Sequence, residues 1–478
     1  MVAPKGVRGS ELTRSQWILS FGLVTSLFFT WGFAYGLLDV LNKHFQVVFG
    51  IDRTQSTLLQ FAYFGVGYFF WAPIAGIIMR RVGYKKGIHL GLTLYSLGAV
   101  FFWPSAVFKK YGGFVGCTCV IGAGLSTLEV AANSYISVLG TPKYAAARLN
   151  FAQGFQGVAS FTGPLIASRF FFTGKNATTL DTVQWVYLAV AGLGLVLNIM
   201  FAFAPLPEIT EAALASEMHE VGIETDREPL WKQYRCVFGF IAQFSYVGAQ
   251  VAVASLAINY MTEQGLDISS ASASNLFSAC QAVFTFGRFA GVVLLRYIDP
   301  ALLFSIYAFM CIAFCTATAL APGWAGIVCL FLVFHFESIC YPVIFTLGTK
   351  NLGRHTKRGS GLIVMGVGGG AWYPSAQAAL ADRHGSRISY LVPMTGYVVM
   401  FIYAVGIVIS QARQDGFRFR TVDEIERKRV TIASGMPNVM MPTDESQKLE
   451  APSHPALDRL SDDSEKAETS LVETEKYV

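Results

Sequence analysis

Long apolar stretches alternate with short polar ones along almost the whole chain. Apolar segments long enough to be membrane helices fall at 17–42, 56–79, 88–108, 113–138, 147–172 and 184–205. After a polar interval they resume at 234–262, 271–296, 301–320, 324–348, 359–382 and 388–412. The pattern predicts twelve transmembrane helices, with six-helix bundles at 17–205 and 234–412. Residues 1–16 form a short N-terminal segment, 206–233 a polar central loop and 413–478 a tail without hydrophobic periodicity. The central loop carries seven acids. The tail ends in DDSEKAETSLVETEKYV and is expected to be mostly disordered. The first apolar run is too long for a cleaved leader and lacks a small-residue cleavage site, so it reads as the first span.

Lysine and arginine in the loops set the orientation. With both ends in the cytoplasm, the inner segments hold 20 of these residues and the outer ones 8. The sequon Asn176-Ala177-Thr178 then falls in an outer loop, where Asn176 can be glycosylated. Composition agrees with a polytopic membrane protein: of 478 residues 53% are hydrophobic and 14% charged, against about 25% charged in ordinary soluble chains. A net charge of +5 spread over many loops gives no nucleic-acid footprint. The eight cysteines show no zinc-ligand spacing and read as small apolar packing residues, so neither metal nor cofactor is expected. Phosphate-loop, zinc-protease and hydrolase-elbow motifs are absent, which argues against an enzyme or an ATP-driven pump.

The halves echo each other. Glu129 lies ten residues before Leu139-Gly140-Thr141, and Glu337 ten before Leu347-Gly348-Thr349. Phe33-x-Tyr35-x-x-x-Asp39 is matched by Phe244-x-Tyr246-x-x-x-Gln250. Gly76 and Gly291 each stand five residues before an arginine, Arg81 and Arg296. Two pseudo-repeats around a central loop predict a carrier with its substrate site at the midplane between them.

A charge deep in a span costs roughly 2.5–3.5 kcal/mol on insertion scales and marks a functional site by default. Asp39, Glu129, Arg288, His335 and Glu337 qualify by position. Low-dielectric burial penalises the charged form of a carboxyl group. Asp39 and Glu129, both in the first half, are therefore candidates for binding and releasing the coupled proton. Arg288 can pair with a carboxylate or gate the path, and His335 reads as a packing residue. Amides and aromatics stand at helical spacing: Gln153 and Gln156 in the fifth span, Tyr246, Gln250 and Asn259 in the seventh, and Tyr341 one turn after Glu337. With Tyr35 and Asn133 these make a lining of amides, carboxyls and rings suited to a neutral polyhydroxylated ligand. Each of them can equally tie helices together. Gly368, Gly369 and Gly370 allow close helix approach or a bend.

Several stretches resemble the L-fucose:proton symporter group of the major facilitator superfamily: FFTWGFAYGLLDVLNKHFQ, AGLSTLEVAANSYISVLG, RLNFAQGFQG, FSYVGAQVAVASLAINYMTE, ESICYPVIFTLGTKNLG and KRGSGLIVMGVGGG. The likeness runs from about 20 to 410. It implies an all-α fold of twelve helices, and uptake of a hexose or deoxyhexose with a proton by a monomeric carrier of the plasma membrane. Asp39 and Glu129 match the family's coupling and substrate-linked carboxylates. Asn133, Gln153, Gln156, Tyr246, Gln250, Glu337 and Tyr341 match cavity positions. The chain departs from the pattern at Tyr35, Gly36 and Leu38, where the family has asparagines, and this puts L-fucose itself in question. The loop from Gly76 to Lys86 lacks the superfamily's usual acid and has Arg80 in its place. A proton-coupled exporter of a small metabolite and a transport-inactive sugar sensor are the competing readings.

Overall fold

The computed structural model describes residues 12–50, 58–171, 181–220 and 229–415. Within some helices, including 34–44, it describes the backbone only. Asn176 and the tail beyond 415 lie outside the described residues. Both bundles and the linker belong to one compact unit, residues 1–428.

The described residues form helices and connections, with no strand among them. Ten of the helices are long and apolar enough to cross a membrane. The remaining two of the twelve spans are the fifth, Ala145–Phe171, and the eleventh, which runs in three pieces from Thr356 to a kink at Gly385, where φ is 83°. Most boundaries match the hydrophobic pattern within a few residues. The first helix is longer than its apolar run, Arg14–Phe49 against 17–42. Its start is set by a capping box, with Thr13 Oγ1 accepting from Gln16 N at 3.4 Å, and its end by Gly50 at φ 61°. Gly83 at φ 87° makes the turn between the second span, Leu58–Val82, and the third, Tyr84–Val107. Asp299 caps the ninth span, Pro300–Leu320, by accepting from Ala301 N at 2.9 Å.

Among the described residues the third span is interrupted at Phe101, and the second, tenth and eleventh depart further from regular α-helix. Phe61–Phe70 in the second span is a wide π-helix. The tenth span, Gly323–Thr349, breaks after Glu337, because Pro342 has no amide to offer the Ser338 carbonyl. In the eleventh, Gly366–Ala371 tightens into a 3₁₀ segment. Here a Cβ on Gly369 would stand 2.0 Å from the Phe244 carbonyl oxygen, so the seventh span (Tyr234–Thr262) packs directly on bare backbone. Gly368 and Gly370 lie against Phe69 and Phe64 of the second span. The glycine run thus stands at a close approach between helices and at a change of helix pitch.

The halves meet along two seams. One joins the second and eleventh spans: a Cβ on Gly361 would meet the Ala72 carbonyl oxygen at 2.7 Å and Gly76 Cα at 3.0 Å. The other joins the fifth and eighth spans (Ser270–Tyr297), where Gly154 and Gly157 face Phe289 and Thr285. Small residues let helices associate where lipid offers no hydrophobic drive for it. Between the halves runs a linker with a helix at Glu211–Glu220, on the face that carries the loop between spans four and five and that between ten and eleven.

Gly361→Val should lower the stability of the purified protein by about 1–3 kcal/mol, the usual cost of overpacking. Denaturant unfolding in detergent checks this, and an unchanged midpoint would mean that the seam gives way easily.

Candidate functional site

Five buried polar side chains from both halves join where the halves meet. The fourth span, Tyr111–Val138, supplies Glu129 and Asn133, one helical turn apart. The fifth supplies Gln153, the eighth Arg288 and the tenth Tyr341. The Tyr341 hydroxyl donates to Glu129 Oε1, and Asn133 Nδ2 donates to the Tyr341 oxygen at 3.4 Å. Gln153 Nε2 donates to Asn133 Oδ1 at 3.3 Å. Arg288 Nη1 donates to Gln153 Oε1 at 2.7 Å. Donors and acceptors thus alternate along one chain from guanidinium to carboxyl group, crossing between the halves three times. None of the five is more than 5% exposed.

The internal repeat accounts for the meeting point. Asn133 and Tyr341 are 208 residues apart, the same offset that relates Glu129 to Glu337, so equivalent positions of the two halves face each other. Asn150, three residues before Gln153, donates from Nδ2 to the Arg288 carbonyl at 2.6 Å and locks the eighth span against the fifth. The Arg288 guanidinium lies 4.8 Å from the Phe284 ring centre, and this cation–π contact replaces part of its lost hydration. Tyr68 and Arg288 are electrostatic neighbours of Glu129. Trp31 of the first span donates its indole N–H to the Tyr68 hydroxyl.

The other expected site residues lie elsewhere. Glu337 is fully buried inside the second half. Tyr397 of the twelfth span, Leu391–Asp415, donates to its Oε1. The Tyr246 hydroxyl donates to its main-chain carbonyl at 2.8 Å, across the break in the tenth span. Glu337 and Tyr246 therefore form a separate polar centre that does not bridge the halves. Gln156 is half-buried where the first and fifth spans touch, its carbonyl oxygen 2.3 Å from where a Cβ on Gly32 would sit. Gln250 is half-buried, and Asn259 is exposed three residues before the end of its helix. Asp39 and Tyr35 belong to the first helix, but their side chains lie outside the described residues. Asp39 is eight residues beyond Trp31, about 12 Å along the axis. Among the described residues no cluster of His, Cys, Asp and Glu has the makings of a metal site.

Three residues of the site went unassigned in the sequence. Asn150 was within reach, since Asn150, Gln153 and Gln156 follow at three-residue spacing in RLNFAQGFQG. Trp31 and Tyr68 show only as aromatics in aromatic-rich helices, and nothing in their local pattern singles them out.

The family model described as Major Facilitator Superfamily matches residues 19–375. A glucose/galactose transporter of Brucella abortus is 33% identical over 400 residues, covering 82% of this chain and 95% of that protein. The L-fucose-proton symporter of Escherichia coli is 32% identical over 409 residues, covering 81% and 93%. The crystal structure of the E. coli fucose:proton symporter aligns with a TM-score of 0.70, covering 82% of this chain and 99% of that one. A proton:xylose symporter, at 15% identity and a TM-score of 0.67, shares the fold.

A double-mutant cycle on Gln153→Leu and Arg288→Met should give a coupling of about 1.5–3 kcal/mol in unfolding free energy, as for hydrogen bonds to charged groups. Coupling near zero would mean that the guanidinium finds an equal partner elsewhere.

Proposed function

This chain belongs to the major facilitator superfamily, and from that premise we propose that it carries a neutral hexose or deoxyhexose inward across the membrane together with a proton. The observation that carries the reading is the hydrogen-bonded chain from Arg288 through Gln153, Asn133 and Tyr341 to Glu129. Every link is a group that bonds sugar hydroxyls well: two amides, a phenol, a carboxyl group and a guanidinium. With the halves closed, these groups bond to one another, and only Glu129 Oε2 and Arg288 Nε among them are left over for a ligand. A bound sugar would take over bonds that now cross between the halves, and the halves could then rock apart around it. Sharing of the two names among the relatives, glucose/galactose transporter and L-fucose-proton symporter, supports a monosaccharide. Tyr35, Gly36 and Leu38 stand where asparagines are expected for L-fucose, which favours glucose or galactose.

In this reading Asn133, Gln153 and Tyr341 bind the sugar. Glu129 links the sugar to the proton, Asp39 takes the proton up, and Arg288 holds the network together. Tyr246 and Glu337 support the second half from behind, and Asn259 stands apart. The driving force is the proton gradient, with no cofactor. The protein acts as a monomer in the plasma membrane with both ends in the cytoplasm, so that the linker face is the inner one. The excess of lysine and arginine on that side supports this orientation. Asn176 is then an outer, glycosylated site.

Purified protein in vesicles of either orientation, under an imposed pH gradient, should accumulate labelled glucose or galactose with inward proton flow. If no sugar moves in either direction, the reading fails.

Asp39→Asn should abolish proton-driven accumulation while sugar exchange persists; full accumulation by this variant would remove Asp39 from the coupling step. Glu129→Gln should lower uptake at least tenfold, roughly 1.4 kcal/mol in barrier terms. Wild-type affinity and rate would leave Glu129 a packing residue.

A further inference from the structure

The loop from Gly76 to Lys86 has no acid of its own, yet two carboxylates meet it, both from the linker. Glu208 accepts from Tyr84 N, the first amide of the third span, at 3.0 Å through Oε1 and 2.9 Å through Oε2. Its Oε1 also accepts from Lys357 Nζ at 2.9 Å. Lys357 opens the eleventh span, so this one carboxylate joins the two halves. The Lys357 side chain is only 5% exposed, and its ammonium lies 4.2 Å from the Tyr84 ring centre. Glu211 completes the bracket. Its Oε1 accepts from Lys357 N at 3.0 Å, an amide in the first turn of a helix with no partner inside that helix. Its Oε2 pairs with Arg80 Nε at 3.4 Å. Burial raises the Glu211 carboxyl above the usual range, against the pull of the Lys357 amide and the Lys357, Arg80 and Arg358 charges. Each carboxylate therefore caps a helix start, one in each half.

The same segment is tied down at other points. The Tyr135 hydroxyl donates to the Pro207 carbonyl at 2.9 Å, and Ile209 is fully buried. Leu214, Glu217 and Met218 of the linker helix wall a cavity of about 120 Å³. Its remaining walls include Ser137 and Lys143 from one half and Thr346 and Lys350 from the other. The cavity thus lies on the pseudo-dyad, between the equivalent ends of the fourth and tenth spans, with the linker helix over it.

We propose that Leu206–Glu220 is a latch on this face: Glu208 and Glu211 hold Lys357 of the second half against Arg80 and Tyr84 of the first, and the helix plugs the vestibule between them. The path cannot open on the linker face until Lys357 leaves both carboxylates. Removing the partner of a buried charge is costly in a way that breaking a surface pair is not. In the transport reading above, on which this inference rests, unlatching precedes release of the sugar on that face, and the linker sets the balance between the two open states.

Amide hydrogen exchange on the full-length protein in nanodiscs, without sugar or gradient, tests the latch independently of substrate. In the double variant Glu208→Gln/Glu211→Gln, amides of 206–220 and 356–365 should exchange at least tenfold faster than in the wild type. Those of the ninth and twelfth spans should not change. Arg80→Gln, at a half-exposed position outside the packed core, should move the same amides in the same direction by a smaller factor. Unchanged exchange at 206–220 and 356–365, or acceleration spread evenly over all twelve spans, would overturn the proposal. Should the vesicle assay show no sugar movement while exchange responds as expected, the latch stands and only the identity of the cargo falls.

Discussion

The Arg288 guanidinium is buried in an apolar layer where water cannot satisfy it, and its bond to Gln153 crosses from one half of the protein to the other. A charge in that position must be met by protein groups, and the structure meets it with a sequence of them. Gln153 turns its oxygen to the guanidinium, which leaves its amide N–H₂ for Asn133. Asn133 then offers its own amide to Tyr341, and the Tyr341 proton goes to Glu129. The direction of every bond follows from the first. The network is therefore a single unit, and a ligand that takes one bond changes the demand on all the others.

The seams between the halves follow from the same lack of water. Helices in lipid gain nothing by hiding apolar surface from one another, so contact between them rests on shape and on polar bonds. Glycines at 76 and 361 bring backbones together at one seam, and those at 154 and 157 make room for Phe289 and Thr285 at the other. Near the linker face, where water returns, ion pairs take over: Glu208 and Glu211 with Lys357 and Arg80 do at the rim what the buried network does at depth. Two fastenings of different chemistry at different depths suit a molecule whose halves rock, since each can release without the other.

Much of this was legible in the chain. The spans, their number and the polar central loop follow from hydrophobic runs, because a helix must cover about 30 Å of hydrocarbon whatever its neighbours. Glu129, Asn133, Gln153 and Arg288 stand out because polar groups inside such runs are expensive and therefore rare. The glycine run at 366–370 signalled close approach, and the Phe244 carbonyl against Gly369 is that approach. The helical period gave less. Tyr246 and Tyr341 lie on similar apolar helices, yet one hydroxyl serves the interior of the second half and the other reaches Glu129.

The amino-acid sequence by itself determined the twelve helices, the two-fold repeat and the short list of polar residues that must find partners, because these depend on local composition and on the cost of leaving water. Only the tertiary structure decided which partners they find. Glu337, equivalent to Glu129 in the repeat, turns inward to Tyr397, while Glu129 faces across the interface to Tyr341. Which way a carboxyl group on a buried helix points is fixed by how that helix is rotated against its neighbours. That rotation is set by small residues and breaks distributed over several spans, such as Gly122 against Gly67 and Pro342 in the tenth span, and it is not written at the carboxyl position itself.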